Sequence, residues 1–409
     1  MAEMNNNAKA RQEYQCLAGY KNCDGYIIPN EWSVVRFSSL FKRLTRKNAE
    51  NNQNVLTISA QKGLVRQIDY YNTLYASEKK EGYSLLSKGD FSYNKSYSSD
   101  YAYGAIKRLD AYDSGIVSPL YICFTPEEGT NSDFYLQYFE AGRFNREIYK
   151  IAQEGARNHG LLNVSTEDFF NSDLVFPSLG EQERIAEILV SCDKVIELKQ
   201  KRIEEEKKKK KWLMHGFFGN ESPAGWSVAR YSDICSFLNG RAYKQEELLA
   251  SGVYPILRVG NLFTKGDWYY SDLELSEDKY IDDGDLIYAW SASFGPRIWT
   301  GGKVIYHYHI WKVIPKTGID KDYLYQYFLY DVDLLAKEQQ GGTMSHITKE
   351  TMEKRKCCFP DFDKQKVIAQ MLSQLDKQIL LLEEECAAWI QKKTALSQLL
   401  LTGIVRTKA

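Results

Sequence analysis

The residues with the strongest potential for chemistry are His307, His309 and an acidic DDGD segment that begins at Asp282. Imidazole and carboxylate side chains are common metal ligands and general acid–base groups. The two histidines alternate along a predicted strand and would share one face, but no third ligand accompanies them. The acidic segment directly precedes another predicted strand, which favours a turn. We therefore predict structural roles for both groups.

Motifs for cofactor-dependent catalysis do not occur in the sequence. It has neither the glycine-rich turn nor the Asn/Asp-Pro-Pro-aromatic loop of an adenine methyltransferase. It also lacks a GxxxxGK[ST] phosphate loop, an HExxH zinc motif and a GxSxG nucleophile motif. Eight cysteines without a CxxC pair, together with only five histidines, indicate reduced thiols and no metal. We expect a chain that binds and organises other molecules without catalysing a reaction.

Length and composition indicate a globular protein of two or three domains, since 409 residues exceed one ordinary core. No apolar run approaches the ~20 residues that cross a bilayer, and the polar N-terminus does not resemble a signal peptide. We expect a cytoplasmic location. The net charge is −1, so any nucleic-acid-binding surface must gather its basic residues on one face. Abundant tyrosine, phenylalanine and tryptophan favour β-rich domains.

The chain contains an internal repeat. PNEWSVVRFSSL from Pro29 and PAGWSVARYSDI from Pro223 share six identities in register. The ends of the two halves also match, because FPSLGEQERIAEILVSCDKVIELKQ from Phe176 parallels FPDFDKQKVIAQMLSQLDKQILLLE from Phe359. The offset falls from 194 to 183 between these matches, so loops differ in length. Shared ends with divergent middles indicate one scaffold that presents two different surfaces.

A long helix is predicted at the end of each half, because apolar residues recur at alternating steps of three and four. The predicted seam residues are Ile185, Leu189, Cys192, Ile196, Ile203, Ile368, Leu372, Leu375, Ile379, Leu382, Cys386, Trp389, Leu396 and Leu400. The first seam is interrupted by Lys199, Glu206 and Lys210. Each stripe needs a partner, and the other helix can provide it by antiparallel packing. The charged run from Ile203 to Trp212 is interpreted as a solvated face with i, i+4 pairs, although a DNA-backbone contact is the alternative.

These patterns predict an α+β fold, with two mixed α/β domains separated by two long helices that form an antiparallel coiled coil. The predicted segments are a polar tail (1–28), a first domain (29–178), a first helix (179–218), a second domain (223–359) and a second helix (360–405).

The duplicated opening motif, the alternation of domain and helix, and the closing LLLTGIVR from Leu399 resemble the specificity subunit of type I restriction–modification systems. The resemblance covers Pro29 to Arg406. It departs from a strict repeat where Lys364 stands in place of Glu181. The resemblance implies two target-recognition domains, each of which reads one half of a split DNA target, with the helices as a spacer.

The same resemblance implies several partners. These are double-stranded DNA, two methyltransferase subunits that bind S-adenosylmethionine, and two restriction subunits that use ATP and Mg²⁺. The cofactors belong to those partners and no cofactor is expected on this chain.

Residues for DNA contact are expected among polar and aromatic side chains on loops, because arginine and asparagine read base edges and lysine binds phosphate. In the first domain the candidates are Lys42, Arg43, Arg46, Lys47, Asn48, Lys95, Tyr97, Arg157, Asn158 and His159. In the second domain they are Arg241, Tyr243, Lys244, Trp290, Ser291, Arg297, Thr343, Ser345 and His346.

Two other hypotheses stay open on sequence alone. The chain could be a coiled-coil scaffold without DNA specificity, which predicts behaviour insensitive to salt. It could also be a fragment of a fused enzyme that cuts or methylates DNA, although the missing catalytic motifs argue against this.

Overall fold

The computed structural model describes residues 19–59, 62–73, 79–96, 101–152, 161–219, 225–264, 266–291, 294–338 and 347–407. The chain divides into two compact units, of which the first comprises residues 1–198 with 386–409 and the second residues 199–385. Each unit holds one copy of the repeat and part of both long helices. None of the helices in the described ranges is both long and apolar enough to span a membrane.

The first unit is built from short strands with a few helices. Its strands are β1 (Tyr20–Cys23), β2 (Tyr26–Pro29), β3 (Ser33–Arg36), β4 (Phe41–Arg43), β5 (Leu56–Ser59), β6 (Gly63–Arg66), β7 (Ser84–Ser87), β8 (Phe91–Asn94), β9 (Ala105–Arg108), β10 (Ser114–Val117), β11 (Ile122–Pro126) and β12 (Asp173–Phe176). Its helices are α1 (Gln67–Tyr71), α2 (Ser132–Glu140), α3 (Asn145–Ile151), α4 (Thr166–Phe170) and the beginning of the long helix α5 (Leu179–Phe218).

The second unit repeats this plan. Its strands are β13 (Ser227–Arg230), β14 (Cys235–Asn239), β15 (Tyr254–Leu257), β16 (Tyr269–Ser271), β17 (Tyr280–Ile281), β18 (Leu286–Ala289), β19 (Gly295–Ile298), β20 (Val304–Tyr306), β21 (Ile310–Pro315) and β22 (Lys356–Phe359). Its helices are α6 (Tyr231–Ile234), α7 (Val259–Phe263), α8 (Lys321–Glu338), α9 (Lys349–Lys354) and the beginning of the long helix α10 (Phe362–Leu400).

Sheet topology shows the repeat directly. The first unit has an antiparallel sheet in the order β4-β11-β8-β9, and the second has the equivalent order β14-β21-β18-β19. In each unit the first strand of the repeat pairs with the last, as β3 with β12 and β13 with β22. These closing pairs explain why the opening and closing motifs match, since they are cross-strand neighbours in both copies. The second unit also has a mixed sheet, β16-β15-β20-β17, and the first unit has the corresponding pairs β6-β5 and β10-β7, which are joined by a parallel bridge between Val55 and Ile116.

Aromatic packing dominates the core of the first unit. Phe37 lies at its centre and contacts other phenylalanine rings at centroid distances near 5 Å, such as 4.9 Å to Phe41 and 4.8 Å to Phe169. Trp32 is fully buried, and its indole N–H donates to a carboxylate oxygen of Glu181 at 2.7 Å. Arg406 donates to the same carboxylate through two nitrogens. This cluster ties the opening motif to the helix and to the C-terminal segment.

The second unit has an ionic cluster within its core. Asp331 is buried and accepts a hydrogen bond from the Tyr231 hydroxyl at 2.9 Å. It also forms a two-pronged ion pair with Arg355, at 2.8 Å and 2.6 Å. Burial, and then the neighbouring Asp331, raise the pKa of Tyr231 well above its usual value, so this hydroxyl remains a donor. Lys364, which takes the place of Glu181 in the repeat, pairs with the exposed Asp361.

Within each unit the two long helices pack antiparallel. In the second unit Lys199 pairs with Glu385 at 2.6 Å, and Lys210 pairs with Asp376 at 2.5 Å. A later residue of α5 thus pairs with an earlier residue of α10, as antiparallel packing requires. The predicted seam positions on both helices are all buried or half-buried. The polar residues that interrupt the first seam therefore face partners on the second helix.

Each unit contains a polar network of three residues at an equivalent position of the repeat. In the first, Asp193 accepts from Gln137 of α2 at 2.7 Å and from Lys393 of α10 at 2.5 Å. In the second, Asp376 accepts from Gln326 of α8 and from Lys210 of α5. The two networks join the globular domain to both helices at equivalent positions of the repeat.

Most side chains of the charged run of α5 are exposed, as the sequence predicts, and Glu206 pairs with Arg202 at i, i+4. Lys207 pairs with Glu383 of the other long helix at 2.6 Å, and Lys211 pairs with Asp333 of α8 at 3.0 Å. The run therefore combines a solvated face with ion pairs to neighbouring elements.

Candidate nucleic-acid interface

In the first domain, antiparallel pairing brings several predicted contact residues to one sheet edge. Arg43 at the end of β4 lies opposite Phe124, in the middle of β11. The end of β8 lies beside the beginning of the same strand, because Tyr93 pairs with Ile122. This edge is therefore formed by two strand ends and the turn of residues 118–121, which precedes β11. We call it the first edge.

The first edge surrounds a cavity of about 240 Å³ that is lined by Arg43, Lys47 and Lys95, with Leu120 and Tyr121 from the turn. The described lining holds no carboxylate. Lys47 donates to the carbonyl of Gly82 at 3.2 Å and Lys95 to the carbonyl of Val164 at 3.3 Å. In the described ranges none of these three cations forms an ion pair. Three unneutralised cations around one cavity suit an anionic group such as a phosphate.

Other predicted residues of the first domain have different environments. Lys42 is exposed on β4. Arg46 forms an ion pair with Asp90, which engages its guanidinium within the domain. Asn48 is buried and bonds to the backbone of Asn52 through both side-chain atoms, so its placement favours a structural role. Four further candidates lie outside the described residues, namely Tyr97, Arg157, Asn158 and His159.

The second domain has the equivalent edge, which we call the second edge. Asn239 at the end of β14 pairs with Trp311, and Ala289 at the end of β18 pairs with Ile310. Arg241, Tyr243 and Lys244 follow β14, whereas Trp290 follows β18. The turn of residues 307–309 precedes β21, as the turn of residues 118–121 precedes β11.

The turn at the second edge corrects one sequence expectation. His307 and His309 do not lie on a strand, because the chain leaves β20 and its sheet at Tyr306 and enters a different sheet at Ile310, where β21 begins. Their ring centroids are 4.8 Å apart, and each lies within 4.3 Å of the Tyr308 ring. Trp290 packs edge-on against His309 at 5.0 Å. The result is a compact aromatic cluster with a partly exposed Tyr308 at its tip.

Beside this turn lies a cavity of about 360 Å³ that is lined by Arg258, Asn261, Asp267, His307 and His309, among others. The Arg258 guanidinium lies over the Tyr269 ring at 5.2 Å. Arg258, which directly follows β15, was not among the residues that the sequence predicted. The sequence feature that could have indicated Arg258 is the Arg-Val-Gly-Asn segment, which directly follows an apolar strand as the other candidate segments do.

The remaining candidates of the second domain differ in exposure and in their contacts within the domain. Arg241 makes a two-pronged ion pair with Glu247, at 2.8 Å and 3.0 Å. Arg297 is exposed and lies over the Phe263 ring at 4.8 Å. Lys244 is exposed, whereas Ser291 is buried and its placement favours a structural role. Thr343, Ser345 and His346 lie outside the described residues.

Electrostatics at the second edge keep His307 neutral. Burial lowers the pKa of its imidazole to about 4, and His309 and Arg258 add to the decrease. A neutral imidazole offers one hydrogen-bond donor and one acceptor. The described parts of the chain contain no group of three or more His, Cys, Asp or Glu side chains arranged to hold a metal ion.

The comparisons with known proteins agree on one family. The model of the type I restriction modification DNA specificity domain matches residues 29–207 and again residues 223–388. The specificity subunit of type I restriction enzyme MjaVIII from Methanocaldococcus jannaschii is 24% identical over 95% of this chain and 96% of its own length. The EcoBI specificity subunit from Escherichia coli is 20% identical over 38% of this chain and 33% of its own.

Solved structures share the fold. The type I restriction–modification S subunit from M. genitalium has a TM-score of 0.56 at 15% identity, over 90% of this chain and 96% of that one. A chain from a structural study of type I system assembly and conformational transition also gives 0.56 at 15% identity, over 93% and 100%. The two family matches span most of the sequence, and the duplicated sheet carries two edges without a catalytic motif. The chain belongs to the type I restriction–modification DNA specificity family, as a non-catalytic subunit for recognition of DNA sequence.

Proposed function

We propose that each domain contacts one half of a bipartite duplex DNA target through its sheet edge. One observation carries this proposal: equivalent strand ends and turns form both edges, but the side chains differ completely between them. Arg43, Lys47 and Lys95 line the first edge, whereas His307, His309 and Arg258 line the second. A common frame with different polar groups suits two DNA-binding surfaces that make different contacts with their half-sites.

The long helices are proposed to bind two methyltransferase subunits and to set the spacing between the half-sites. Exposed apolar residues outside the pairing seam support the docking role. Ile188 and Leu198 of α5 are 37% and 66% exposed, and their repeat equivalents on α10, Met371 and Leu381, are 38% and 59% exposed. Exposed apolar side chains that recur at equivalent positions fit two copies of one partner.

In the complete complex, the chemistry would belong to partner subunits. The methyltransferase subunits would supply S-adenosylmethionine and adenine methylation. Two restriction subunits would supply ATP-driven translocation and Mg²⁺-dependent cleavage. This chain would direct both activities to one sequence, in the cytoplasm where the DNA is.

Methylation mapping tests this function. The chain is co-expressed with its cognate methyltransferase subunit, and N6-methyladenine is located across the host genome by single-molecule sequencing. We expect one motif with two specified halves around an unspecified gap, present only when this chain is expressed. Methylation that is absent, or unchanged when the chain is omitted, would refute the specificity role.

A further inference from the structure

The turn at the second edge differs in residue type from the equivalent turn of the first domain. The turn of residues 118–121 in the first domain reads Ser-Pro-Leu-Tyr, whereas the turn of residues 307–309 in the second reads His-Tyr-His. Three adjacent rings, of which two are imidazoles, thus replace a mainly apolar turn at the same place in the fold. We propose that the His307–His309 turn, together with Arg258, reads base edges in the half-site of the second domain. This proposal rests on the proposed DNA-reading function.

Rigidity of the turn supports this role. The His307 amide donates to the Leu257 carbonyl at 2.9 Å, and the Tyr308 amide donates to the Arg241 carbonyl at 3.0 Å. The Trp290 indole N–H donates to the Tyr308 carbonyl at 2.8 Å. The turn is therefore anchored to three separate segments. An element held in one conformation before binding loses little conformational entropy on contact with DNA.

A glycine permits this close packing. A Cβ atom at Gly240 would lie only 2.4 Å from the Tyr306 carbonyl oxygen and 2.5 Å from that of His307. Any other residue would push the segment after β14 away from the turn. Gly240 thus keeps Arg241 within hydrogen-bonding distance of Tyr308, and the anchoring depends on it.

The polar groups of the adjoining cavity favour a base edge over a phosphate. Its described lining combines one cation, Arg258, with one carboxylate, Asp267, and two imidazoles. A carboxylate repels phosphate but accepts hydrogen bonds from the amino groups of cytosine. Arginine donates to guanine, and a neutral histidine both donates and accepts. Arg258 forms no ion pair among the described residues, so its guanidinium is available.

Exposure of the tip completes the argument. Tyr308 is 38% exposed, although its ring packs against both histidines. The main-chain hydrogen bonds hold the turn in place, and the exposed part of the Tyr308 ring faces solvent. Aromatic rings presented in this way stack on bases or pack against the thymine methyl group.

The test uses the purified complex of this chain with its methyltransferase subunits and duplexes that carry the mapped motif. Single base-pair changes are introduced in each half, and affinities are measured for the wild type, Arg258→Ala, His309→Ala and the first-edge variant Arg43→Ala. We expect Arg258→Ala and His309→Ala to reduce discrimination about 5- to 100-fold at positions of one half only. Arg43→Ala should leave discrimination in that half as it is in the wild type.

The outcomes separate the inference from the function on which it rests. Wild-type discrimination at both halves in Arg258→Ala and His309→Ala would overturn the inference while the function stands. A wild-type complex without sequence discrimination would refute the function itself. Thermal unfolding of each variant identifies a folding defect. We expect Arg258→Ala to fold, because the Arg258 guanidinium lies on the surface over Tyr269 and its removal opens no core cavity.

Discussion

The two domains place an apolar side chain and a hydrogen-bonded polar side chain at an equivalent core position. Phe37 in the first domain corresponds to Tyr231 in the second, and both donate their backbone amide at 2.8 Å to the residue before the closing strand, Ser172 or Arg355. The Tyr231 hydroxyl donates to the buried Asp331, whereas Phe37 has no hydroxyl and packs among other phenylalanine rings. The first domain is therefore held by phenylalanine packing at the place where the second holds a buried ionic cluster. The scaffold fixes the backbone and leaves the core chemistry free to change.

The edges differ in the same way. The first edge has three cations and no described carboxylate, whereas the second combines an arginine, a carboxylate and an aromatic turn. Equivalent strand ends thus support a surface suited to phosphate in one domain and a surface suited to base edges in the other. The following changes test these contrasts.

The largest expected effect concerns the core of the second domain. Asp331→Ala leaves the Arg355 cation and the Tyr231 hydroxyl without their buried partner, so we expect a loss of about 3–5 kcal/mol in the free energy of unfolding. Urea denaturation measures this loss. The double variant Asp331→Ala with Arg355→Met removes the orphaned charge and should recover much of it. A single variant as stable as the wild type would show that the ionic cluster does not hold this core.

The second prediction concerns the first edge. Replacement of Arg43, Lys47 and Lys95 by alanine should lower DNA affinity on the order of 10²-fold, nearly independently of sequence. The slope of log affinity against log salt should become shallower by about 2.7, since each lost phosphate contact contributes about 0.9. Fluorescence anisotropy of the complex at several salt concentrations measures both quantities. An unchanged slope would remove this edge from the phosphate contacts.

A smaller effect is expected at the duplicated polar networks. Gln137→Leu removes a hydrogen bond to the Asp193 carboxylate and should cost about 1.5 kcal/mol of stability. Gln326→Leu should cost less, because the Gln326 side-chain oxygen is buried without a partner in the described ranges and its removal relieves that penalty. Urea denaturation of the two variants in parallel compares them. A larger loss for Gln326→Leu would contradict this account of the networks.

The smallest effect is a pH dependence specific to the second domain. Burial lowers the pKa of His307 to about 4, against a usual value of 6.5. Between these values the unfolded chain binds more protons at this residue, so its contribution to stability should fall as the pH decreases from 6.5 towards 4. Thermal unfolding at pH 7 and pH 5 should show a smaller decrease in midpoint for His307→Asn than for the wild type. Equal decreases would contradict a buried neutral imidazole.

Sequence alone predicted the scaffold better than the surfaces. The repeat, the mixed domains and the antiparallel helices follow from motifs whose residues are core or seam, as with Trp32 and Ile185, because burial constrains residue type strongly. The groups around the cavities depend on which strand ends meet, and that is decided by pairing between distant segments. Arg43, Lys47 and Lys95 were found as loop cations, but nothing in the sequence indicated that they share one cavity.

The errors have the same cause. His307 and His309 were placed on a strand because alternation of apolar and polar residues continues through the turn, and only the placement of β20 and β21 in two different sheets reveals the break. Asn48 resembled a base-reading residue, but the loop uses its amide internally. Arg258 was missed because its closeness to the turn of residues 307–309 depends on the pairing of β15 with β20.

The central claim is that each domain reads its own half of the target, and a transplant tests it most directly. Residues 223–359 are replaced by a copy of residues 29–178, and the chimeric chain is expressed with the methyltransferase subunit for methylation mapping. The account predicts a motif in which the half-site of the first domain occurs twice, in inverted orientation. A motif that keeps the half-site of the replaced domain would contradict the account.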